Sequence, residues 1–275
     1  MSRVDDQGVH LRVFGDTTNP VLVMLHGWGM SGDIFAPLLD QLSDHFYVVV
    51  PDLPGLGRSD AIVGQAVTPV VVAERLMKSI SVILAGTADQ SAIVLGWSLG
   101  GNIAAQIAVD YPEQVTCVVL VASNPCFVER QDWPLAMSAE TYYAFADSLA
   151  ANPVKTLQRF ASLQVQGDPQ GRSLLKEIKT LLAALEPPQL AEMLALLELD
   201  GRTIVSQISQ PVLQVFGGAD VLVPVALAQE LPGLYPTHQI TIMSESAHLP
   251  FLSDSEQFIQ RLREFSVDVK HERGQ

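Results

Sequence analysis

Ser98 lies in residues 96–100, Gly-Trp-Ser-Leu-Gly, which have the spacing G-x-S-x-G. The apolar residues 93–95 predict a buried strand before it, and the pattern of residues 102–109 predicts a helix after it. A strand that turns so sharply into a helix strains the serine backbone and exposes its hydroxyl. The motif alone is weak and also fits an ordinary tight turn. In this context it predicts a nucleophilic serine.

A serine nucleophile needs a base, and that base needs an acid that orients it. Reactive groups in parallel sheets gather at the carboxyl ends of the strands. Asp220 follows the predicted strand 212–216, and His248 follows the predicted strand 239–243. The chain order Ser98, Asp220, His248 therefore predicts a triad in which His248 moves the proton and Asp220 orients the imidazole.

Alternatives for the base and the acid remain open. His26 also follows a predicted strand, although its glycine neighbours favour a role in shaping its loop. Asp52 is the alternative acid, and its Asp-Leu-Pro-Gly context favours a carboxylate that closes a loop. His248 itself could be a buried histidine with satisfied hydrogen bonds. The remaining histidines lie at the wrong strand ends or near the ends of the chain: His10, His45, His238 and His271.

Attack on an acyl group creates an oxyanion, which two backbone N–H groups stabilise. We expect one donor at Leu99, directly after the serine, and the other at Trp28. Trp28 stands between Gly27 and Gly29, which let bare backbone approach a ligand. The alternative is that both N–H groups only close turns.

Predicted strands and helices alternate over residues 1–126 and again over 201–275. This rhythm indicates an α/β fold with a mainly parallel sheet between helices. Residues 127–200 show helical patterns punctuated by prolines, which predict a helical insertion. The predicted helices cover residues 139–149, 153–163, 172–185 and 188–199. The last helix is predicted over residues 255–265, followed by a frayed polar tail over 267–275.

The composition bounds the function classes. Apolar residues make up 48% of the 275 residues and charged residues 17%, enough for a large core. A net charge of −14 argues against nucleic-acid and acidic-membrane partners. Cys117 and Cys126 do not have metal-ligand spacing, and we expect no metal and no cofactor. Without an apolar leader or a membrane span, we expect a cytoplasmic monomer.

Several segments are familiar. Four resemble the α/β-hydrolase superfamily: residues 26–29, 52–59, 96–101 and 247–251. Residues 96–101 also resemble the pimeloyl-[acyl-carrier protein] methyl ester esterase family of biotin synthesis, as do residues 121–127, 133–134 and 159–164.

The resemblance implies an α/β-hydrolase fold, a twisted sheet flanked by helices, with a helical cap at residues 127–200 on a core of 1–126 and 201–275. It implies a serine carboxylesterase that cleaves the methyl ester of pimeloyl-[acyl-carrier protein] through an acyl-enzyme and releases methanol. The implied catalytic residues are Ser98, Asp220 and His248. The implied substrate contacts are Trp28, Ser98, Leu99, Phe160, Gln164 and His248. Trp97 and Leu163 fit either an acyl channel or the core.

The cap sequence also carries a cluster of positive charge. Lys155 and Arg159 are four residues apart, and three more basic residues share a predicted helix face: Arg172, Lys176 and Lys179. A basic face on an acidic chain suits an acidic partner such as the carrier protein. The alternative is a solvated helix face. Lysines bind a partner with less bidentate geometry than arginines do.

Other functions remain open. The same residues would serve a broad carboxylesterase for short acyl esters, or a hydrolase of C–C bonds. Haloalkane dehalogenases and epoxide hydrolases are disfavoured, because those families place aspartate where Ser98 stands. A non-catalytic ligand receptor on a hydrolase scaffold is the alternative from a different class.

Overall fold

The computed structural model describes residues 2–273. Within this range eight strands form one sheet in the order β1-β2-β4-β3-β5-β6-β7-β8. The strands are β1 Ser2–Val4, β2 His10–Phe14, β3 Val21–Leu25, β4 Tyr47–Pro51, β5 Ala92–Trp97, β6 Val115–Val121, β7 Val212–Gly217 and β8 Gln239–Met243.

Strand direction divides the sheet into two parts. The pairs β1–β2 and β2–β4 are antiparallel, whereas the pairs from β4 through β3, β5, β6 and β7 to β8 are parallel. The parallel part brings the carboxyl ends of six strands to one edge. The predicted fold class is confirmed.

Helices cover the sheet and form the insertion. The α-helices are α1 Leu39–Ser43, α2 Pro69–Leu84, α3 Leu99–Asp110, α4 Ala139–Ala151, α5 Pro153–Gln164, α6 Gly171–Ala183, α7 Leu190–Ala195, α8 Arg202–Ser206, α9 Leu227–Leu234, α10 Pro250–Ser253 and α11 Ser255–Arg273. Short 3₁₀ helices occupy Gly32–Leu38, Pro112–Gln114 and Leu196–Glu198. No helix in residues 2–273 is long and apolar enough to cross a membrane.

The central strands are apolar throughout because both faces of the sheet are covered. In β3, Leu22 and Met24 belong to one core cluster, which also contains Phe258 of α11. Val23 and Leu25 belong to the cluster on the other face, with α2 and α3. Each fully buried side chain of this size stabilises the fold by about 2 kcal/mol. This packing holds the strand ends that carry the site.

The helical segment, residues 127–200, contains α4 to α7 and no strand of the sheet. Capping side chains lie at the N-termini of two of its helices. The Ser138 hydroxyl accepts a hydrogen bond from the Thr141 N–H at 3.2 Å, before α4. Asn152 Oδ1 accepts one from the Lys155 N–H at 3.0 Å, and Pro153 occupies the first turn of α5. These caps explain why the predicted bounds of α4 and α5 fit closely.

The predicted end of the last helix is wrong. α11 continues from Ser255 to Arg273, well beyond the predicted end at Phe265. Val269 is buried one turn after Phe265 and belongs to the same core cluster. Its apolar face therefore keeps the polar end helical by packing.

We predict that Gly96→Ala destabilises the protein by about 3 kcal/mol or more, because its Cβ would overlap the Gly100 carbonyl. Gly233→Ala in α9 is the matched control, since a Cβ there meets open space. It should leave stability unchanged or raise it by up to about 1 kcal/mol. Urea unfolding of both variants measures this. Equal stability of the two variants would contradict the close β5–α3 contact.

Candidate active site

Ser98 occupies the turn between β5 and α3. Its backbone has φ 55° and ψ −121°, a conformation that costs a non-glycine residue about 1–3 kcal/mol. Its N–H donates to the Val121 carbonyl, and its carbonyl accepts from the Ser123 hydroxyl, both at 2.9 Å. The turn is therefore held from the neighbouring strand β6. This geometry matches the strained turn that the motif predicts.

Asp220 and His248 follow the carboxyl ends of β7 and β8, and the structure joins them. His248 Nδ1 lies 2.8 Å from Asp220 Oδ2, and both side chains are buried. The other carboxylate oxygen accepts the N–H groups of Leu222 at 2.8 Å and Val223 at 3.1 Å. An imidazole that donates from Nδ1 to this carboxylate keeps its lone pair on Nε2. Within residues 2–273, buried Nε2 has no hydrogen-bond partner.

The His248 loop is also held by Trp97. The indole N–H of Trp97 donates to the His248 carbonyl at 2.8 Å, and the two rings lie 5.6 Å apart. Trp97 is fully buried and does not line the cavity at Ser98. Of the two roles that its sequence position allowed, the structure gives it the core role.

A cavity of about 450 Å³ brings Ser98 and His248 to one space. Its volume falls in the range of small-molecule sites. Trp28 of the β3 loop, Phe145 of α4 and Phe160 of α5 form one wall, with ring centroids 5.2–5.7 Å apart. The Trp28 indole N–H donates to the Leu190 carbonyl of α7 at 2.8 Å. The helical segment thus supplies much of the apolar wall of the cavity that Ser98 and His248 also line.

Neither of the two expected oxyanion donors forms a backbone hydrogen bond within residues 2–273. Leu99 is the first residue of α3, so its N–H has no acceptor within the helix. The Trp28 N–H has no acceptor in the part of the chain that the structure describes. The role of these N–H groups in catalysis stays a prediction.

The implied substrate contacts fall into two groups. Trp28, Ser98, Phe160 and His248 line the cavity. Leu163, for which the sequence allowed an acyl channel or the core, also lines it, as does Arg159 of the basic cluster. Leu99 and Gln164 are not part of its lining, because their side chains are buried elsewhere. For Leu99 only a backbone contact with an acyl group remains.

Several cavity residues were missed from the sequence, among them Phe127, Tyr142, Phe145 and Leu222. Tyr142 and Phe145 lie on α4, whereas Phe127 and Leu222 lie in loops. Their aromatic or apolar character was visible in the sequence, but not their position at the cavity. Tyr142 donates its hydroxyl to the Leu194 carbonyl, and burial raises its pKa to about 12. It therefore stays a neutral donor.

His26, the alternative base, serves its loop. Its Nδ1 lies 2.9 Å from the Gly27 carbonyl, and its Nε2 accepts the Leu53 N–H at 2.9 Å. Burial lowers the pKa of His26 and favours the neutral ring. Both ring nitrogens are engaged, so neither is available to deprotonate Ser98.

Asp52, the alternative acid, is fully buried beside His10, 3.1 Å from its Nδ1. It also accepts the N–H groups of Gly32 at 2.7 Å and Arg58 at 2.9 Å. Burial raises its pKa, but these hydrogen bonds outweigh burial and bring the pKa to about 2. Asp52 is thus a structural carboxylate that closes its loop.

Five of the basic residues in the helical segment lie on α5 and α6, and all five are exposed: Lys155, Arg159, Arg172, Lys176 and Lys179. None of them forms an ion pair within residues 2–273. Arg159 belongs to this set and also lines the cavity. In the same range, no three His, Cys, Asp or Glu residues are grouped as a metal site requires.

This fold, with a serine and a histidine at one cavity, is that of the alpha/beta hydrolases. Residues 20–255 match the family described as alpha/beta hydrolase fold, and the chain belongs to that family. An esterase from Exiguobacterium antarcticum has the same fold, with a TM-score of 0.80 at 20% identity, over 98% of this chain and 99% of that one.

Two relatives assign the chain to a more specific family within this fold. The pimeloyl-[acyl-carrier protein] methyl ester esterase of Aeromonas salmonicida is 34% identical over 250 residues, 90% of this chain and 95% of that protein. The biotin biosynthesis bifunctional protein BioHC of Cellvibrio japonicus is 36% identical over 90% of this chain. The chain spans about half of that longer protein, 48%. The chain is a carboxylic ester hydrolase of the pimeloyl-[acyl-carrier protein] methyl ester esterase family.

We predict that Asp52→Asn removes about 2 kcal/mol of acid-dependent stability. A carboxyl with a folded pKa of about 2 and an ordinary pKa of 3.8 stabilises the fold above pH 4. That contribution disappears as the pH falls towards 2. Unfolding free energies measured at pH 6 and pH 3 should therefore differ less in the variant than in the wild type. Asp44→Asn, at an exposed position, is the control. If Asp52→Asn shows the same difference in unfolding free energy between pH 6 and pH 3 as the wild type, the role of Asp52 is refuted.

Proposed function

We propose that this chain hydrolyses the methyl ester of a pimeloyl group carried on an acyl-carrier protein, and so releases methanol for biotin synthesis. The names of its relatives support this substrate. The observation that carries the proposal is the position of Arg159, which lines the cavity at Ser98 and also belongs to the exposed basic face. One substrate can therefore reach the serine while its carrier contacts that face.

Ser98 Oγ attacks the methyl ester carbonyl, and His248 Nε2 takes the hydroxyl proton. His248 is suited to this step because Nε2 has no competing partner in the described residues and Nδ1 is held by Asp220. Asp220 stabilises the imidazolium that forms. The N–H groups of Trp28 and Leu99 stabilise the oxyanion.

Collapse of the tetrahedral intermediate expels methoxide, which takes the proton from His248 and leaves as methanol. Water then attacks the acyl-enzyme with His248 again as base, and the free carboxylate is released. His248 passes the proton taken from water to Ser98 as the acyl-enzyme breaks down, and the other water proton is released when the product acid ionises. The cycle thus restores Ser98 and His248 without a cofactor.

The substrate has two carbonyl carbons that a serine could attack. One belongs to the distal methyl ester, and the other belongs to the thioester that joins the acyl chain to the carrier protein. A carrier on the basic face keeps the thioester end near the cavity mouth. The distal ester then reaches Ser98 past Trp28 and Phe160, whose rings suit a methylene chain. This orientation favours cleavage of the methyl ester over the thioester.

In this proposal residues 127–200 act as a cap, and five residues of it dock the carrier: Lys155, Arg159, Arg172, Lys176 and Lys179. An acidic carrier protein meets positive charge here on a chain whose net charge is −14. Such charges steer association and fix orientation more than they add affinity.

We predict that Ser98→Ala lowers kcat by a factor on the order of 10⁴ to 10⁶ and abolishes labelling by a fluorophosphonate. The exposed Ser206→Ala variant on α8 is the control and should behave as wild type. Ester hydrolysis and mass spectrometry of the labelled protein measure both. Activity near wild type in Ser98→Ala would show that the nucleophile is another residue.

We predict that the double variant Lys155→Glu, Arg172→Glu raises KM for methyl pimeloyl-carrier protein about tenfold and spares a free dimethyl ester. Neither residue lines the cavity. Arg263→Glu, Lys270→Glu on α11 changes the net charge equally and should leave KM unchanged. Added salt should weaken carrier binding only where the basic face is intact.

Steady-state kinetics on both substrates decide this proposal. Equal effects of the first pair on the two esters would contradict a docking face. Equal or better turnover of free short esters by the wild type would favour a broad carboxylesterase instead.

A further inference from the structure

The loop that carries His248 is tied to the helical segment by its own backbone. The His248 N–H donates to the Gln164 carbonyl, the last residue of α5, at 3.0 Å. The preceding N–H, of Ala247, donates to Asp168 Oδ2 at 3.1 Å. Two consecutive N–H groups of this loop therefore end on the α5–α6 turn and not on the sheet.

Asp168 is fixed from several sides. Its Oδ2 also accepts the hydroxyl of Ser253 at the end of α10, and its Oδ1 accepts the Gln170 N–H at 2.8 Å. The Gln170 side chain donates to the Ser253 carbonyl at 2.6 Å. The carboxylate thus bridges the α5–α6 turn to residues on both sides of His248.

Together with these contacts, two further hydrogen bonds hold His248 in place. Asp220 holds the imidazole at Nδ1, and the Trp97 indole holds the His248 carbonyl. Asp168 supplies a charged acceptor on the N–H side, and such a bond is about twice as strong as a neutral one. Ala247 and His248 lie outside the regular strands and helices, so no ladder of backbone hydrogen bonds holds them and these individual contacts help to fix their position.

We propose that Asp168 is a positioning residue for the catalytic histidine: it fixes the Ala247–His248 backbone so that Nε2 faces Ser98. This inference rests on the catalytic role of His248 proposed above. Asp168 itself does not line the cavity, so it acts on His248 and not on the substrate.

The test measures a free methyl ester, which needs no carrier docking. Asp168→Ala should lower kcat about tenfold and change KM less than twofold. For this comparison kcat is calculated from the concentration of reactive serine, which titration with a fluorophosphonate gives. Asp168→Asn retains one acceptor oxygen and should recover part of kcat. Asp147→Asn, an exposed acid on α4, is the control and should match wild type.

A proton NMR resonance of the His248 Nδ1–H gives a second readout. It should broaden or shift in Asp168→Ala and persist in the control. Ser253→Ala removes the other bond to Asp168 Oδ2 but leaves Ala247 in place, and it should keep kcat within about twofold.

Two results would overturn the inference: an unchanged kcat and resonance in Asp168→Ala, or a loss in Ser253→Ala as large as that in Asp168→Ala. Both are distinguishable from failure of the proposed function. Failure of the proposed substrate would appear as equal or better turnover of free short esters by the wild type, with the effect of Asp168→Ala on a free ester unchanged. Failure of the proposed catalytic residues would leave Ser98→Ala as active as wild type.

Discussion

The backbone of Ser98 is the constraint on which the rest of this structure depends. Its conformation, φ 55° and ψ −121°, is unfavourable in isolation, and the surrounding hydrogen bonds to Val121 and Ser123 must hold it. The same turn needs close contact between Gly96 and Gly100, which any side chain would prevent. A well-packed parallel sheet makes this possible, because β5 is covered on both faces and bordered by two parallel neighbours.

The helical segment is part of the site on both sides of Ser98. On one side Trp28 packs against Phe145 and Phe160 and donates its indole N–H to the Leu190 carbonyl. On the other side the Gln164 carbonyl binds the His248 N–H. A shift of these helices would therefore change the cavity wall and the histidine loop together, which links the shape of the insertion to the chemistry at the serine.

Two histidine–carboxylate pairs in this chain do different work. His10 and Asp52 lie 3.1 Å apart, and the Asp52 carboxylate also accepts the backbone N–H groups of Gly32 and Arg58. His248 and Asp220 lie 2.8 Å apart, but the outer nitrogen of His248 is left without a partner among residues 2–273 and its ring lines the cavity. The first pair does not line the cavity and holds its loops together, whereas the second presents an imidazole nitrogen that can accept a proton there.

The sequence by itself determined the α/β class, the candidate serine and the histidine–aspartate pair, because strand patterns are local and parallel strands bring their carboxyl ends to one edge. It also determined the starts of α4 and α5, since Ser138 and Asn152 are local caps. Only the tertiary structure decided which helix faces line the cavity, that α11 runs on to Arg273, and that Asp168 reaches the His248 loop. The lining and the Asp168 contact depend on which distant segments pack together, and the periodicity of a single helix does not specify its partner. The end of α11 depends on burial of the single apolar residue Val269 against the core.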